Sequence, residues 1–140
     1  MKFRDFFEST TLDERQAIGV LSLMIGKYPL EMWAPDFQVS INNQQVLNHA
    51  WYSLRKNKIQ TSPDKAPALL QQAIEVAKPI IYPQENQLEI SYDHSALYDF
   101  QGKQPDPGTT MMCQVLRKGI YAVPAGERMF AIKRAVVKPL

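Results

Sequence analysis

Leu88-Glu89-Ile90-Ser91-Tyr92-Asp93 is where the pattern of the chain changes. Leu88, Ile90 and Tyr92 alternate with Glu89, Ser91 and Asp93, the two-residue period of a strand with one buried face. Upstream of this stretch the apolar residues recur every three or four positions. Downstream they come in short runs separated by turn residues.

Three helices are expected upstream. Thr11-Leu12-Asp13-Glu14 has the form of a capping box, in which hydroxyl and carboxylate satisfy free amide donors reciprocally. Ala17, Ile18, Val20, Leu21, Met24, Ile25 and Tyr28 follow at helical spacing on a very wide face, so this helix is expected to be central, and Pro29 ends it. Phe3 to Glu8 could form a separate turn of helix. Phe37 to Ile41 is too short to assign. Val46, Leu47, Ala50, Trp51 and Leu54 predict an amphipathic helix over 43–57. Leu69, Leu70, Ala73, Ile74 and Ala77, extended to Ile80, predict a third, limited by Pro79 and Pro83.

Strands are expected downstream. Met111 to Leu116 and Gly119 to Val123 are strand candidates, with a turn at Pro105-Asp106-Pro107-Gly108 and a hairpin connection at Pro124-Ala125-Gly126-Glu127. Arg128 to Val137 fits a strand with Phe130, Ile132 and Val136 on one face, or a helix carrying Met129, Ile132 and Val136. The preceding turn and the β-branched Val136-Val137 favour the strand. Helices first and strands later predict an α+β fold: about three N-terminal helices on a small C-terminal antiparallel sheet of three to four strands. The 140 residues are expected to form a single domain, with 1–83 mainly helical and 84–140 mainly strand.

Composition narrows the function classes. Sixteen Lys+Arg against fourteen Asp+Glu leave a net charge of +2, which fits neither a strongly basic nucleic-acid coat nor an acidic tail. The N-terminus mixes charges with aromatics and lacks the uninterrupted apolar stretch of a secretory leader. The uncharged run from Ala17 to Gly26 reaches about 15 Å as a helix, half of a bilayer core. Cys113 is the single cysteine, so no internal disulfide forms, and a reducing cytoplasmic location is expected.

The charge is segregated along the chain. Residues 84–106 hold one basic group (Lys103) and five acidic ones (Glu85, Glu89, Asp93, Asp99, Asp106), net −4. Residues 107–140 hold six basic groups (Arg117, Lys118, Arg128, Lys133, Arg134, Lys138) and Glu127, net +5. The two segments either neutralise each other side by side in the fold or face outward and steer a charged partner.

Catalytic constellations are thin. Asp93-His94 with Asp99 is the densest titratable cluster, but two carboxylates and one histidine have no familiar ligand spacing. Cys113 with His94 or His49 could be arranged as nucleophile and base, yet Met111-Met112-Cys113 is the apolar setting of an inert buried thiol. Pro105-Asp106 lacks the acidic-X-Lys pair that metal-dependent nucleases place on a following strand. Glycine-rich phosphate loops are absent, and one cysteine with two distant histidines cannot build a zinc site.

The chain is therefore expected to be a small cytoplasmic protein-binding module, not an enzyme. It would act by steric blockade of a macromolecular partner, in the manner of an immunity protein, antitoxin or phage inhibitor. Glu89, Asp93, Tyr98, Asp99 and Phe100 are the expected partner-binding residues, because Tyr and its neighbours beside an acidic stretch suit an interface. The alternative is a nucleic-acid-binding or regulatory protein using Arg117, Lys118, Arg128, Lys133, Arg134 and Lys138, interleaved with Tyr121 and Phe130. A homodimer is compatible with either reading. No cofactor, metal or membrane partner is expected.

Overall fold

The computed structural model describes residues 12–33 and 36–140, and in 12–14 only the backbone. The Thr11–Glu14 capping box and the turn read at Phe3–Glu8 lie outside the described residues. Helix α1 is Leu12–Lys27, and Ala17, Ile18, Leu21, Met24 and Ile25 are buried along it. Short helices α2 (Leu30–Trp33) and α3 (Phe37–Ser40) follow, and Trp33 stacks on Phe37 with ring centroids 5.6 Å apart. The Asp36 carboxylate accepts the Gln38 amide at 2.6 Å and so starts α3, a helical turn in the segment left unassigned by its length.

Helix α4 is Gln44–Lys56, one residue inside the expected bounds at each end. The Asn43 side chain caps it by accepting from Gln45 N and Val46 N, and Arg55 and Lys56 complement its C-terminal dipole. A 3₁₀ turn at Pro63–Lys65 leads into α5 (Ala66–Ala77), with Pro67 in its first turn where no amide donor is missed. Lys78 adopts a left-handed conformation (φ 48°) and ends α5. The expected third helix therefore stops before Ile80. Pro79–Tyr82 is instead strand β1.

The remaining strands are β2 (Gln87–Ser91), β3 (Tyr98–Phe100), β4 (Thr110–Arg117), β5 (Gly119–Ala122), β6 (Phe130–Lys133) and β7 (Ala135–Pro139), with a 3₁₀ segment Tyr92–Leu97 between β2 and β3. The alternation that began at Leu88 thus ends at Ser91, and Tyr92 opens the 3₁₀ segment. The strands form two sheets, β1-β5-β6 and β2-β4-β7-β3. Every pairing is antiparallel except β3 with β7, which is parallel, so the second sheet is mixed.

The two sheets share their strands in a simple way. β1 continues into β2 through a cis Tyr82–Pro83 peptide, β4 into β5 across Lys118, and β6 into β7 across Arg134. The last two therefore each bend once and pass from one sheet to the other, while β1 reaches β2 through the four residues 83–86. Register shifts between Val115 and Arg117 and between Ile120 and Tyr121 flank the bend. Gly119 sits at the corner against the backbone of Lys133, Arg134 and Ala135. A Cβ there would fall on the Lys133 carbonyl and 2.5 Å from the Ala135 nitrogen, so only glycine fits.

The bend also corrects the reading of residues 128–137 as one strand. Arg134 breaks it in two. Phe130 and Ile132 lie on β6 of the first sheet and Val136 on β7 of the second, so the three do not line one strand face.

The result is three layers with two cores. α1, α4 and α5 pack on one face of β1-β5-β6 around Ile18, Leu21, Ile25, Trp33, Leu54, Leu70 and Ile120. α1 approaches β6 closely: a Cβ on Gly26 would lie 2.7 Å from the Ile132 carbonyl oxygen. The other face of that sheet and the inner face of β2-β4-β7-β3 enclose Ile90, Tyr98, Cys113, Tyr121, Ala135 and Val137. β5, buried at all four positions, serves both cores.

Candidate functional site

The second sheet keeps one face inside and leaves the other open. Along β4, Met111, Cys113 and Val115 turn inward, while Met112, Gln114 and Leu116 are exposed. The strand registers then assemble the open face row by row. Asp99 of β3 lies beside Val136 of β7, which pairs with Arg117 of β4. In the next row Lys138 pairs with Gln114, and Gln114 with Gln87. In the third, the Leu140 amide donates to the Met112 carbonyl, and Met112 pairs with Glu89. The bulge adds Leu116 beside the first row. Met112 is 45% exposed, Leu116 40% and Leu140 66%, so three large apolar side chains stand in water among amides and charges of both signs. Met112 and Leu140 stand together at one end of the face and Leu116 at the other, with the polar row Lys138, Gln114 and Gln87 between them.

The five expected partner-binding residues divide among three places. Glu89 and Asp99 lie on the open face, at opposite edge strands. Asp93 lies elsewhere, in a cleft of about 890 Å³ with His94, Ala96, Leu97, Arg128 and Met129. Tyr98 is buried and Phe100 half-buried, both turned into the second core, their rings 6.4 Å apart. Met112, Leu116, Val136 and Leu140 were not among the residues singled out. Their signal was the outward phase of two strands, but a single exposed Met or Leu in a strand looks the same as a core residue until its neighbours are known.

The basic residues are spread rather than gathered on one surface. Lys138 is on the open face and Arg128 in the cleft. Arg117, Lys118, Lys133 and Arg134 meet at the bend, from two adjacent strands, but reach in different directions. Lys118 Nζ donates to the Gln84 carbonyl at 3.2 Å, toward β1 and β2. Arg134 Nε donates to the Ala96 carbonyl at 3.1 Å, and its Nη1 lies 3.9 Å from Asp99 Oδ1. The acidic and basic segments are thus side by side on this sheet, with Asp99 against Arg134 and Glu89 two strands from Lys138. Each exposed pair of this kind is worth about 0–1 kcal/mol.

Beneath the site, Tyr121 pins the layers together. Its hydroxyl donates to the Leu97 carbonyl at 2.5 Å and accepts from the Ala135 amide at 2.9 Å. One phenol thereby joins the first sheet to the start of β7 and to the 3₁₀ segment. Tyr82 packs edge-on against it at 5.6 Å and Tyr98 tilts over it at 6.3 Å. Burial pushes the Tyr121 phenol up, opposed by the Ala135 hydrogen bond. Burial, with Tyr82 close by, pushes Tyr98 up further.

The catalytic candidates are placed apart. Cys113 is fully buried in the second core, burial raises its thiol, and its Sγ lies 3.7 Å from the Met111 carbonyl. His49 packs on Tyr28 in the helical layer, ring centroids 4.3 Å apart. His94 is exposed and its Nδ1 lies 3.1 Å from Ser91 Oγ. Asp106 pairs with Lys103 at 3.8 Å, in a turn closed by Thr109. Among the described residues no group of three or more His, Cys, Asp or Glu could hold a metal ion, and no helix is long and apolar enough to cross a membrane. No known protein family, curated protein or solved structure matches the chain.

Proposed function

We propose that the protein is a cytoplasmic protein-binding module that blocks a macromolecular partner sterically, using the open face of β2-β4-β7-β3. The observation that carries this reading is the exposure of three large apolar residues, Met112, Leu116 and Leu140, on one sheet face otherwise lined by amides and charges. Contacts of that kind supply affinity by removing apolar area from water, about 25 cal/mol per Å². Glu89, Asp99, Arg117 and Lys138 around them supply register and exclude wrong partners more than they add affinity. An immunity protein, antitoxin or phage inhibitor works in this way, by occupying a surface and doing no chemistry.

Placing a charge on an apolar residue that a partner buries costs about 2 kcal/mol or more at a binding hot spot, about 30-fold in Kd. With the partner captured from the host cytosol, Met112→Asp is expected to weaken binding by at least that factor, mainly through faster dissociation. Glu89→Lys, at the rim, is expected to change the association rate by only a few-fold. Equal, small effects from both would contradict the assignment of the face.

The nucleic-acid reading has one observation in its favour, the meeting of Arg117, Lys118, Lys133 and Arg134 at the bend. It requires binding that weakens steeply with salt as counterions are released. A salt-insensitive complex excludes it.

A further inference from the structure

The cleft between the 3₁₀ segment Tyr92–Leu97 and the loop joining β5 to β6 is separate from the open face, and its chemistry is different. Its volume, about 890 Å³, lies within the 300–1,000 Å³ range of small-molecule sites. Ala96, Leu97 and Met129 give it an apolar floor, and Leu97 and Met129 rest on the second core. The hydrogen bond from Tyr121 to the Leu97 carbonyl fixes one side of that floor. Two opposite charges face the space, Asp93 and Arg128, brought together from positions 35 residues apart in sequence.

Those two charges are not spent on each other. The ion pairs within 4.0 Å among the described residues are Lys103–Asp106 and Arg134–Asp99, and neither Asp93 nor Arg128 takes part in them. Asp93 and Arg128 also lack side-chain hydrogen-bond partners among the described residues. A carboxylate and a guanidinium over an apolar floor, not paired with each other, are complementary to a molecule that carries both an ammonium and a carboxylate.

We propose that this cleft binds a free zwitterion of about dipeptide size with apolar side chains. The ligand ammonium meets Asp93, its carboxylate meets Arg128 as a bidentate pair, and its side chains lie on Ala96, Leu97 and Met129. A protein chain end carries only one of the two charges, so the site selects the free molecule over a terminus.

The test is an NMR titration of the ¹⁵N-labelled protein with leucyl-leucine, its N-acetylated form and its C-terminal amide. Saturable shifts are expected in the amides of Asp93 to Leu97 and of Arg128 and Met129. Blocking either end, or making Asp93→Asn or Arg128→Gln, should weaken binding at least about tenfold, the loss of one charge-assisted hydrogen bond. Both side chains are exposed, and an otherwise unchanged spectrum of each variant shows that it is folded. Three results would overturn the proposal: no saturable shift at millimolar dipeptide, shifts confined to other amides, or equal affinity for blocked and unblocked forms. None of these bears on the open face, so the two readings stand or fall separately.

Discussion

The Tyr121 hydroxyl joins the Leu97 carbonyl and the Ala135 amide through one oxygen. The sequence shows a tyrosine in an apolar run and nothing to say that its hydroxyl bridges two layers. Only the bend puts the Leu97 carbonyl and the Ala135 amide within reach of one oxygen. Tyr121→Phe keeps the ring and strands both groups in a buried site. Each such group costs about 1–3 kcal/mol, so a loss of that order in guanidinium unfolding is expected, with the slope unchanged. An unchanged midpoint would mean the bridge is not structural.

The same residues set an alkaline limit. Tyr98, Tyr121 and Cys113 all have their proton affinity raised by burial. Between the ordinary and the raised values the unfolded chain has lost protons that the folded chain keeps, so stability falls as pH rises. The loss should begin as pH passes the ordinary thiol value of 9.0 and steepen beyond the phenol value of 10.0. Urea midpoints measured from pH 8 to about 11 should show this fall, shallower in Tyr98→Phe. A flat profile would contradict the burial of these groups.

The long helices were legible because they carry several turns of period and their own stop signals. Asn43 caps α4 where the spacing began and Pro29 follows α1, whereas the end of α5 at a left-handed Lys78, ahead of Pro79, was not readable. The short strands were not. β1 and β3 have four and three residues, too few to display a period. β1 also begins on a proline that reads equally well as a helix stop. Bends at Lys118 and Arg134 were invisible because each shifts which residues face in, which looks like noise in a one-dimensional alternation. For the same reason the candidate site was only half legible: Glu89 and Asp99 are on the open face, while Tyr98 and Phe100, next to Asp99 in sequence, point the other way by simple alternation.

Gly26 shows how helix and sheet are matched at this scale. In an isolated helix Gly→Ala gains about 1 kcal/mol of propensity. Here the new methyl would meet the Ile132 carbonyl and Cγ2 at 2.7 Å. The opposing element is a backbone in a paired strand, which cannot turn aside as a side chain tip can. Overpacking of this kind costs about 1–3 kcal/mol, so the clash outweighs the propensity gain. Gly26→Ala is expected to lower the thermal midpoint; a raised midpoint would show that α1 slides freely over β6.

At the scale of the molecule, the described elements stack in three layers. Helices cover the first sheet, the first sheet covers the second, and the second leaves its outer face to solvent. The bend lays the basic C-terminal strands beside the acidic ones, and one ion pair joins the two segments, Asp99 with Arg134. Steering by a net acidic surface is therefore a smaller part of the account than apolar contact through Met112, Leu116 and Leu140.

The most direct measurement is native mass spectrometry of the tagged protein from its own host's cytosol, at low salt and without nuclease, beside the Met112→Asp/Leu116→Asp double variant. The account predicts a discrete added protein mass on the wild type that is missing from the folded double variant. A bare wild-type mass, a nucleic-acid adduct that salt removes, or a protein adduct that survives the double substitution would contradict it.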